Sequence, residues 1–499
     1  MQHDPHRHPK PPKPASLAPL LPFVRCAIPF TSTAGQAFLR LPEGDGHLAL
    51  PVRSRDFRDW FFRAFFAQYQ SLPSAHAWHA LLHHLEAAAS AEPQNLRLQV
   101  GRRVASLGAY IPEKIFLDLA NLQREYVEIS PDGWKIGQDE AILLETSRNM
   151  LPHFTPAPSP DPAADLELLH SCLNLPRPAW LRALVWLLSA FRPRGPYPIL
   201  VLQGPPGSGK SFAATVLRTL VDPSTSPLTP IPAGPRDLLA LARCNQVLAF
   251  DHISAFSPQL AAALCRLSTS LGFAFRERGE TEALQESYSR PVILTVTDRW
   301  SPPSDLASRA FTATLPAIPP AAFRTEADLL TAIHSAWPRI LGAICSALSA
   351  ALAGATPQTR SPGRHAAALD WAIPAASVLG VPADEIRAAF AHPPPLHPLV
   401  DAIGKLLLQR RHWTGSASEL LALLQPALDC ETPKGVSQQL NNCALILADA
   451  GIELKFKRLH GRRIIRLEGD ASCENPSQDA SPKIEASSQP APDEELTAA

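Results

Sequence analysis

The chain has 499 residues, a formal net charge of zero at pH 7 and 45% hydrophobic residues, so it is long enough for several domains with apolar cores. Zero net charge excludes nucleic-acid binding through overall charge and requires any such surface to be local. The eight cysteines are scattered without a CxxC pair, which indicates neither a zinc site nor a disulfide framework. The N-terminus lacks the apolar core of a signal peptide, and the longest uncharged run, 340–359, is too rich in Ala, Ser and Gly for a membrane span. We therefore expect a cytoplasmic protein without membrane contact.

The 53 prolines are concentrated in a few stretches that predict the boundaries of the folded parts. They indicate a disordered arm at 1–22 and linkers at 151–164 and 393–398. The segment 469–499 is acidic and rich in Ser, Ala and Pro, and we expect it to be disordered. The histidines of the arm, at positions 3, 6 and 8, are metal-ligand types, but an arm of this composition is not expected to hold a metal site.

Residues 23–150 predict an α+β domain. Apolar residues at helical spacing within 55–90 favour two helices, and alternating segments predict strands at 96–100, 114–120, 124–130 and 133–137. Asp118 and Glu128 fall on neighbouring predicted strands. Paired carboxylates suit nuclease or polymerase chemistry, but this spacing is more typical of a solvated sheet face.

From residue 165 the pattern changes to strands alternating with helices, which predicts an α/β domain with a parallel sheet over 165–324. Its elements are a helix near 178–192, a strand at 199–203, a helix at 210–221 and apolar runs at 246–250 and 291–296. A helical lid is expected over 325–392. The last folded piece, 399–468, is predicted to contain three helices followed by a two-stranded ribbon, the order of a winged-helix domain.

The segment GPPGSGKS fits the phosphate-binding pattern G-x-x-x-x-G-K-[ST] and lies between an apolar strand and an amphipathic helix. The glycines let backbone N–H groups converge on the phosphates, Lys210 reaches their oxygens, and Ser211 binds Mg²⁺. ATP and Mg²⁺ are therefore the expected ligands. The candidate nucleotide contacts are Gly204, Pro205, Pro206, Gly207, Ser208, Gly209, Lys210, Ser211 and Phe212.

A phosphate loop of this kind needs a carboxylate on a second strand, and QVLAFD supplies Asp251 about 40 residues after the lysine. Many hydrolysing proteins carry an acid next to that Asp, where this chain has His252. His252 either orients water or is a residue at the strand end without such a role, and we favour the second. Thr295, on the strand expected between these two, is a candidate sensor of the γ-phosphate, or else an ordinary strand residue, which is the commoner case for a threonine. Arg309 is a candidate for contacting the γ-phosphate of a neighbouring subunit, or else a surface arginine.

The order of these residues resembles the AAA+ class of P-loop NTPases, an ASCE-like fold. It looks most like the superfamily 3-type helicase module of phage and integrative-element primase–helicase proteins. The resemblance covers about 110–468 and is most specific over 199–343. The segments that carry it are LRTLVDP, FDHISAFSPQLAAALCRLSTSLGFAFRER, RPVILTVTD, DLASRAFTATLPAI and WPRILGA.

The resemblance implies nucleotide and magnesium roles for Lys210, Ser211 and Asp251, and a finger role for Arg309. It also suggests Arg339 as a weaker candidate for a contact from the lid to the nucleotide. Proteins of this kind usually carry Asn where this chain has His252 and Thr295, so these two departures favour binding over fast hydrolysis.

Two local features suit DNA. The segment 272–287 predicts a hairpin bearing Arg276 and Arg278, which in similar proteins projects into a ring channel; its glutamates equally suit a solvated hairpin. In the C-terminal piece, a capping box at Ser416 precedes one helix and Thr432 starts a second, which resembles a recognition helix. The cations expected to contact phosphates there include Lys434, Lys455, Lys457, Arg462 and Arg463. A wing used for protein contacts is the alternative.

These features support one leading hypothesis: a helicase-like ATPase that couples ATP hydrolysis to remodelling single-stranded or forked DNA during replication of a phage or mobile element. Assembly into a homo-oligomeric ring would follow from Arg309 acting across subunits. The competing hypothesis is an ATP-dependent switch that binds DNA or a protein with little or no hydrolysis. A DNA-binding regulator with a vestigial ATP site is disfavoured because the phosphate loop is intact.

Overall fold

The computed structural model of the chain describes residues 17–32, 36–43, 46–91, 101–107, 113–138, 144–145, 147, 149–254, 257–269, 272–275, 284–286, 288–298, 300, 302–354, 361, 363–391, 398–410, 412–425, 432–443, 447, 452–459 and 462–469. The chain divides into two compact units, Met1–Pro395 and Leu396–Ala499. The division falls inside the predicted linker at 393–398. Of the predicted disordered tail at 469–499, residue 469 is described as part of a strand, and 470–499 lies outside the described residues.

The first unit begins with a nine-stranded sheet, counted over the described residues, in the order β1-β2-β3-β9-β4-β5-β6-β7-β8. Its strands are β1 (Ile28–Thr31), β2 (Ala37–Glu43), β3 (Gly46–Pro51), β4 (Gly101–Arg102), β5 (Val104–Leu107), β6 (Lys114–Asp118), β7 (Tyr126–Ser130), β8 (Gly133–Gly137) and β9 (Leu144–Glu145). β9 runs parallel to β3 and β4, and the other neighbours are antiparallel. Three predicted strands are confirmed as β6 to β8, whereas β1 to β5 and β9 were not predicted. The predicted strand at 96–100 lies outside the described residues.

Two predicted helices are confirmed beside this sheet, α1 (Arg55–Tyr69) and α2 (Ala75–Ala91). Phe57, Phe61 and Phe65 recur every four residues and are buried on one face of α1, as an amphipathic helix requires. The Phe23 ring packs on that face, 5.6 Å from the Phe61 ring and 5.4 Å from the Phe65 ring. Residues 17–22 take part in the same core and so belong to the fold rather than to a disordered arm. The rest of that predicted arm lies outside the described residues.

A four-stranded parallel sheet forms the centre of the first unit, in the order β11-β14-β10-β15. Its strands are β10 (Ile199–Gln203), β11 (Leu248–Ile253), β14 (Val292–Val296) and β15 (Ala310–Thr314), and β12 (Phe273–Phe275) and β13 (Leu284–Glu286) form a separate hairpin. The helices are α3 (Pro162–Ser171), α4 (Arg177–Ala190), α5 (Lys210–Val221), α6 (Pro235–Cys244), α7 (Pro258–Thr269) and α8 (Ser304–Ala307). The central strands β10 and β14 are almost entirely buried because helices cover both faces of a parallel sheet, whereas the edge strand β15 alternates between buried and more exposed residues.

The predicted lid is helical, with α9 (Glu326–Ala353), α10 (Ala366–Val378) and α11 (Ala383–Ala391). Thr325 caps α9 by accepting a hydrogen bond from the Asp328 N–H. The segment Pro320–Ala353 is long and apolar enough to cross a membrane by length and composition, but 72% of its apolar stretch is buried inside the protein. α9 packs against α3 and α10 and against strands β7 and β8, so it is a core helix.

The segment predicted as a linker at 151–164 is packed rather than free. Its backbone N–H groups donate to three different parts of the unit: Leu151 to the Pro223 carbonyl (3.0 Å), His153 to the Leu119 carbonyl (2.7 Å) and Ala157 to the Pro338 carbonyl (2.9 Å). The last residues of the segment start α3. The α+β part and the α/β part therefore share one core, which composition alone could not show.

A buried arginine joins the same two parts. The Arg103 guanidinium donates to the Asp222 carboxylate (3.2 Å) and to the backbone carbonyls of Asp118, Leu151 and Pro223 (3.0–3.2 Å). Arg103 and Asp222 are both buried, and Asp222 is the residue that ends α5. Breaking one side of such a buried pair leaves an uncompensated charge. The helix that follows the phosphate loop is thus anchored to the N-terminal sheet.

The second unit contains α12 (Pro398–Arg410), β16 (His412–Gly415), α13 (Ala417–Leu424), α14 (Pro433–Asn442), β17 (Ile452–Leu459) and β18 (Arg462–Gly469). Its sheet is antiparallel in the order β16-β18-β17. The predicted capping box is confirmed, since Ser416 and Glu419 each bond the other's backbone N–H. The three helices and the ribbon occur in the predicted order, and the short strand β16 was not predicted.

Candidate functional site

The phosphate loop connects the end of β10 to the start of α5, and its glycines are required by its backbone. A Cβ on Gly204 would lie 2.4 Å from the Leu315 carbonyl oxygen, so no larger residue fits. Gly207 and Gly209 have φ angles of +74° and +83°, the left-handed region that favours glycine. Gly209 is the N-cap of α5, where free N–H groups and the helix dipole favour an anion. The loop is therefore shaped for a phosphate chain.

Lys210 is folded back over the loop. Its Nζ donates to the carbonyl oxygens of Gly204 (2.8 Å) and Pro205 (2.7 Å). Partial burial lowers the pKa of Lys210, while the negative charges of Asp298 and Asp251 act in the opposite direction. Two backbone carbonyls thus hold the ammonium group at the loop, where an anionic ligand would compete for it. Pro206 is exposed, Phe212 is mostly buried in the core next to the loop, and Ser208 is fully buried.

Asp251 of β11 is bonded by a residue of β14 and by a residue of α5. The Ser211 hydroxyl donates to both of its carboxylate oxygens (2.9 and 3.1 Å), and the Thr295 hydroxyl donates to one of them. β14, which carries Thr295, lies between β10 and β11 as predicted. Burial alone would raise the pKa of Asp251, but the hydrogen bonds from Thr295, Ser211 and His252 outweigh it and lower the pKa. The ionised carboxylate of Asp251 therefore lies beside the hydroxyl of Ser211. Oxygen ligands of this kind are those that Mg²⁺ prefers.

His252 has a strained backbone at this site. Its φ is +57°, unusual for a residue with a side chain, and its N–H donates to the Thr295 hydroxyl (3.0 Å). The ring is 87% exposed, and its Nδ1 bonds the second oxygen of Asp251 at 2.7 Å. His252 therefore contacts the Asp251 carboxylate, and the prediction that it has no role in orienting water stays a prediction.

Asn174 belongs to the site and was not predicted. It lies between α3 and α4, and its Nδ2 donates to the Ser208 carbonyl of the loop (3.0 Å) and to the Pro316 carbonyl after β15 (2.7 Å). It precedes the loop by about 30 residues, so no local motif marks it. Only the folded arrangement identifies Asn174 as a support of the loop.

The two candidate arginines bond groups outside this loop. The Arg309 carbonyl accepts a hydrogen bond from the Ile199 N–H at the start of β10. Arg309 therefore lies at the end of the strands opposite to the loop, about 15 Å away along the strand direction. Its guanidinium donates to the Asp305 carbonyl (2.7 Å). The Arg339 guanidinium donates to the Asp165 carboxylate (3.2 Å). The Arg309 side chain is only 18% exposed, and the roles of both arginines stay predictions.

The candidate DNA contacts are only partly described. The predicted hairpin is present as β12 and β13, but Arg276 and Arg278 lie outside the described residues. In the second unit, the exposed Lys434 is in the first turn of α14, and Lys455 and Lys457 are exposed on one side of the edge strand β17. Arg462 and Arg463 start β18, and their side chains lie outside the described part.

The carboxylate pair of the N-terminal sheet does not form a site. Glu128 pairs with Lys114 (2.6 Å) and Lys135 (3.5 Å). Asp118 is buried rather than on a solvated face: burial raises its pKa, and it accepts from the Ala120 N–H (2.7 Å). No group of three or more metal-ligand side chains occurs among the described residues. The carboxylates have structural roles.

Two segments match models of one protein family. Residues 175–378 match the model described as the actinomycete integrative conjugative element replication protein, abbreviated AICE RepA. Residues 399–486 match the model of the AICE RepA C-terminal domain. The matches follow each other in the chain, span more than half of it and cover the phosphate loop, Asp251, α14 and the ribbon. The predicted link to replication of a mobile element is confirmed.

Several solved structures are similar to the chain at low scores. They include two structures of the NrS-1 C-terminal region, "The A form apo structure of NrS-1 C terminal region-CTR" and "The apo structure of NrS-1 C terminal region (305-718)". Both have a TM-score of 0.35 and 10% identity and cover 92% of this chain, with 100% and 99% of the NrS-1 chains covered. TM-scores this low do not establish a common fold. None of the curated proteins matches this chain.

Proposed function

We propose that this chain, a replication protein of a mobile element, binds ATP with Mg²⁺ at the loop between β10 and α5 and uses its hydrolysis to act on DNA. One observation carries the proposal: Ser211, the residue after the loop lysine, bonds both oxygens of Asp251 on a different strand. A glycine-rich turn that binds no nucleotide would not require Ser211 and Asp251 to lie together.

The residues present fit the two ligands. The loop backbone, with glycine where a Cβ would collide and where φ is positive, would hold the phosphate chain. Lys210 would contact the β- and γ-phosphate oxygens, and Ser211 and Asp251 would hold Mg²⁺, which neutralises charge on the phosphates when bound. Asp251 serves this role because its lowered pKa keeps it anionic.

Hydrolysis needs a neighbouring copy under this proposal. Arg309 lies too far from the loop of its own subunit to touch a nucleotide there, so it would complete the site of the next subunit in a homo-oligomeric ring. An Arg309→Ala variant should then bind ATP normally and lose turnover. Mixing it with a Lys210→Ala variant should restore part of the turnover, because the intact loop of an Arg309→Ala subunit can then lie next to the intact Arg309 of a Lys210→Ala subunit. No recovery in the mixture would count against action between subunits.

DNA binding is assigned to the second unit, whose elements suit a winged-helix domain. α14 starts with Lys434 and would be the recognition helix, and β17 and β18 would form the wing that contacts phosphates through Lys455 and Lys457. The hairpin bearing Arg276 and Arg278 is the candidate for a single-stranded or forked DNA contact by the first unit. The chain has no net charge, so these contacts depend on local cations.

A second candidate function is an ATP-dependent switch with little turnover. Two contacts favour it: the His252 ring and the Thr295 hydroxyl both bond the Asp251 carboxylate. Neither position carries a carboxylate, the group that many hydrolysing proteins place next to this Asp to polarise the attacking water. In this candidate, ATP binding alone would change how the protein holds DNA or a protein partner.

ATP turnover with and without single-stranded DNA separates the two functions. The test compares the full chain with Lys210→Ala and with Lys135→Ala, an exposed lysine of the N-terminal sheet, as the matched control. DNA-stimulated turnover that only Lys210→Ala loses supports the motor. ATP binding without turnover, with or without DNA, supports the switch. Equal ATP affinity of all three proteins would refute the loop as the nucleotide site.

A further inference from the structure

The orientation of a bound nucleotide follows from the strand order. In the order β11-β14-β10-β15, Asp251 and Thr295 lie on the β11 and β14 side of the loop. A triphosphate whose magnesium-bound end faced Asp251 would direct its nucleoside end to the β15 side. The groups there that lie closest to the loop glycine Gly209 are Ile318 and Asn174, at 3.8 and 3.9 Å from the position its Cβ would take.

The amide of Asn174 is fixed in one orientation. Its Nδ2 donates to two carbonyl oxygens, of Ser208 and Pro316, which accounts for both amide hydrogens. The flipped amide would place its oxygen against both carbonyl oxygens, with no donor between them. The geometry therefore leaves Oδ1 as the acceptor of this side chain, and no hydrogen bond to Oδ1 occurs within the part of the chain that the structure describes.

Asn174 is also held in place along the chain. Leu173 and Leu175 on either side of it are buried in the main core, and the Leu175 carbonyl bonds the His170 ring nitrogen at 2.8 Å. Ile318 is half-buried and offers an apolar surface beside it. A rigid amide acceptor next to an apolar side chain suits the edge and the face of a purine base.

We propose that Asn174 selects adenine over guanine at this site, an inference that rests on the proposed function. The exocyclic amino group of adenine is a donor and would pair with Oδ1, whereas guanine carries an acceptor oxygen at the same ring position. Placing acceptor against acceptor leaves both without a partner, which costs about tenfold to a hundredfold in affinity. Asn174 thus has two roles, a support of the loop through Nδ2 and a base contact through Oδ1.

Equilibrium binding of four ligands to the full chain tests the base contact. The ligands are ATP, GTP, the triphosphate of purine riboside, which lacks only the amino group, and inorganic tripolyphosphate, which lacks the nucleoside. We expect the unaltered chain to bind ATP at least tenfold more tightly than GTP and purine riboside triphosphate. Asn174→Ala should bind ATP and purine riboside triphosphate equally. Asn441→Ala, an exposed asparagine of the second unit, is the matched control and should keep the preference.

Tripolyphosphate separates the base contact from support of the loop. If Asn174→Ala weakens all four ligands by one common factor and keeps the preference for ATP, Asn174 only supports the loop and the proposal is overturned. It is equally overturned if the unaltered chain binds ATP and purine riboside triphosphate alike, a comparison that stands even if the variant does not fold. In both cases ATP still binds, so the proposed function survives. Failure of the unaltered chain to bind any of the four would refute both proposals.

Discussion

His153 provides a test of the packed junction between the N-terminal sheet and α5. The imidazole is buried, and its Nε2 donates to the Leu220 carbonyl at 3.0 Å, while Nδ1 has no partner among the described residues. Burial, together with the positive charge of Arg103, lowers the pKa of His153 to about 3, although the bond to Leu220 and the charge of Asp222 act against this. A residue in a solvated linker would not be shifted in this way.

The shift makes the fold sensitive to acid. The folded pKa lies below the unfolded value of about 6.5, so the unfolded chain takes up the proton first as the pH falls. The contribution of His153 to the free energy of unfolding is therefore fully present above about pH 6.5 and is lost progressively between about pH 6.5 and about pH 3. Each pH unit in that window costs about 1.4 kcal/mol, which gives about 2 kcal/mol between pH 7 and pH 5.

Urea unfolding of the full chain at pH 7 and pH 5 measures the loss, with His153→Gln as the variant that retains a donor for Leu220 and does not titrate. The free energy of unfolding should fall between the two pH values by about 2 kcal/mol less in this variant than in the unaltered chain. His79→Gln, an exposed histidine of α2, is the control and should behave like the unaltered chain. The reasoning is refuted if His153→Gln loses as much stability at pH 5 as the unaltered chain.

Three further results are expected from changes at the loop, at the carboxylate and on the ribbon. Gly204→Ala should abolish ATP binding in calorimetry because its Cβ would lie 2.4 Å from a carbonyl oxygen, whereas Gly234→Ala, with open space around it, should bind ATP as before; equal binding by both would contradict the tight loop. His252→Glu should raise steady-state ATP turnover by about tenfold because a carboxylate can accept a proton from water, and unchanged or lower turnover would argue against that role for the position. Replacing Lys455 and Lys457 together by Ala should reduce the slope of log affinity for DNA against log salt by about 2, as measured by fluorescence anisotropy, and an unaltered slope would exclude their contact with phosphates.

Much of the architecture could be read from local pattern. The predicted strand at 199–203 and helix at 210–221 coincide with β10 and α5, because a buried parallel strand, a glycine loop and an amphipathic helix each leave a periodic signature. Capping residues such as Ser416 and Thr432 marked helix starts in the second unit. The strands before residue 60 were missed because the proline-rich composition around them gave no clear alternation.

Some residues of the candidate site could be predicted from the sequence, and others could not. Gly204, Lys210 and Ser211 follow one another within a few positions, so their spacing alone predicts a phosphate loop. Asp251 could be proposed from its place at the end of an apolar strand. Asn174 could not be proposed, because its hydrogen bonds to the loop join residues far apart in the chain.

The sequence by itself determined the glycine-rich loop between β10 and α5, the helices over 325–392 and the order of elements in the second unit, because each depends on residues that are close together in the chain. Tertiary structure alone decided that 151–161 is packed, that Arg103 and Asp222 bind the N-terminal sheet to α5, and that His252 touches Asp251. These contacts depend on which strands become neighbours and on which polar groups lose water together. Neither property is encoded in the spacing of any one segment.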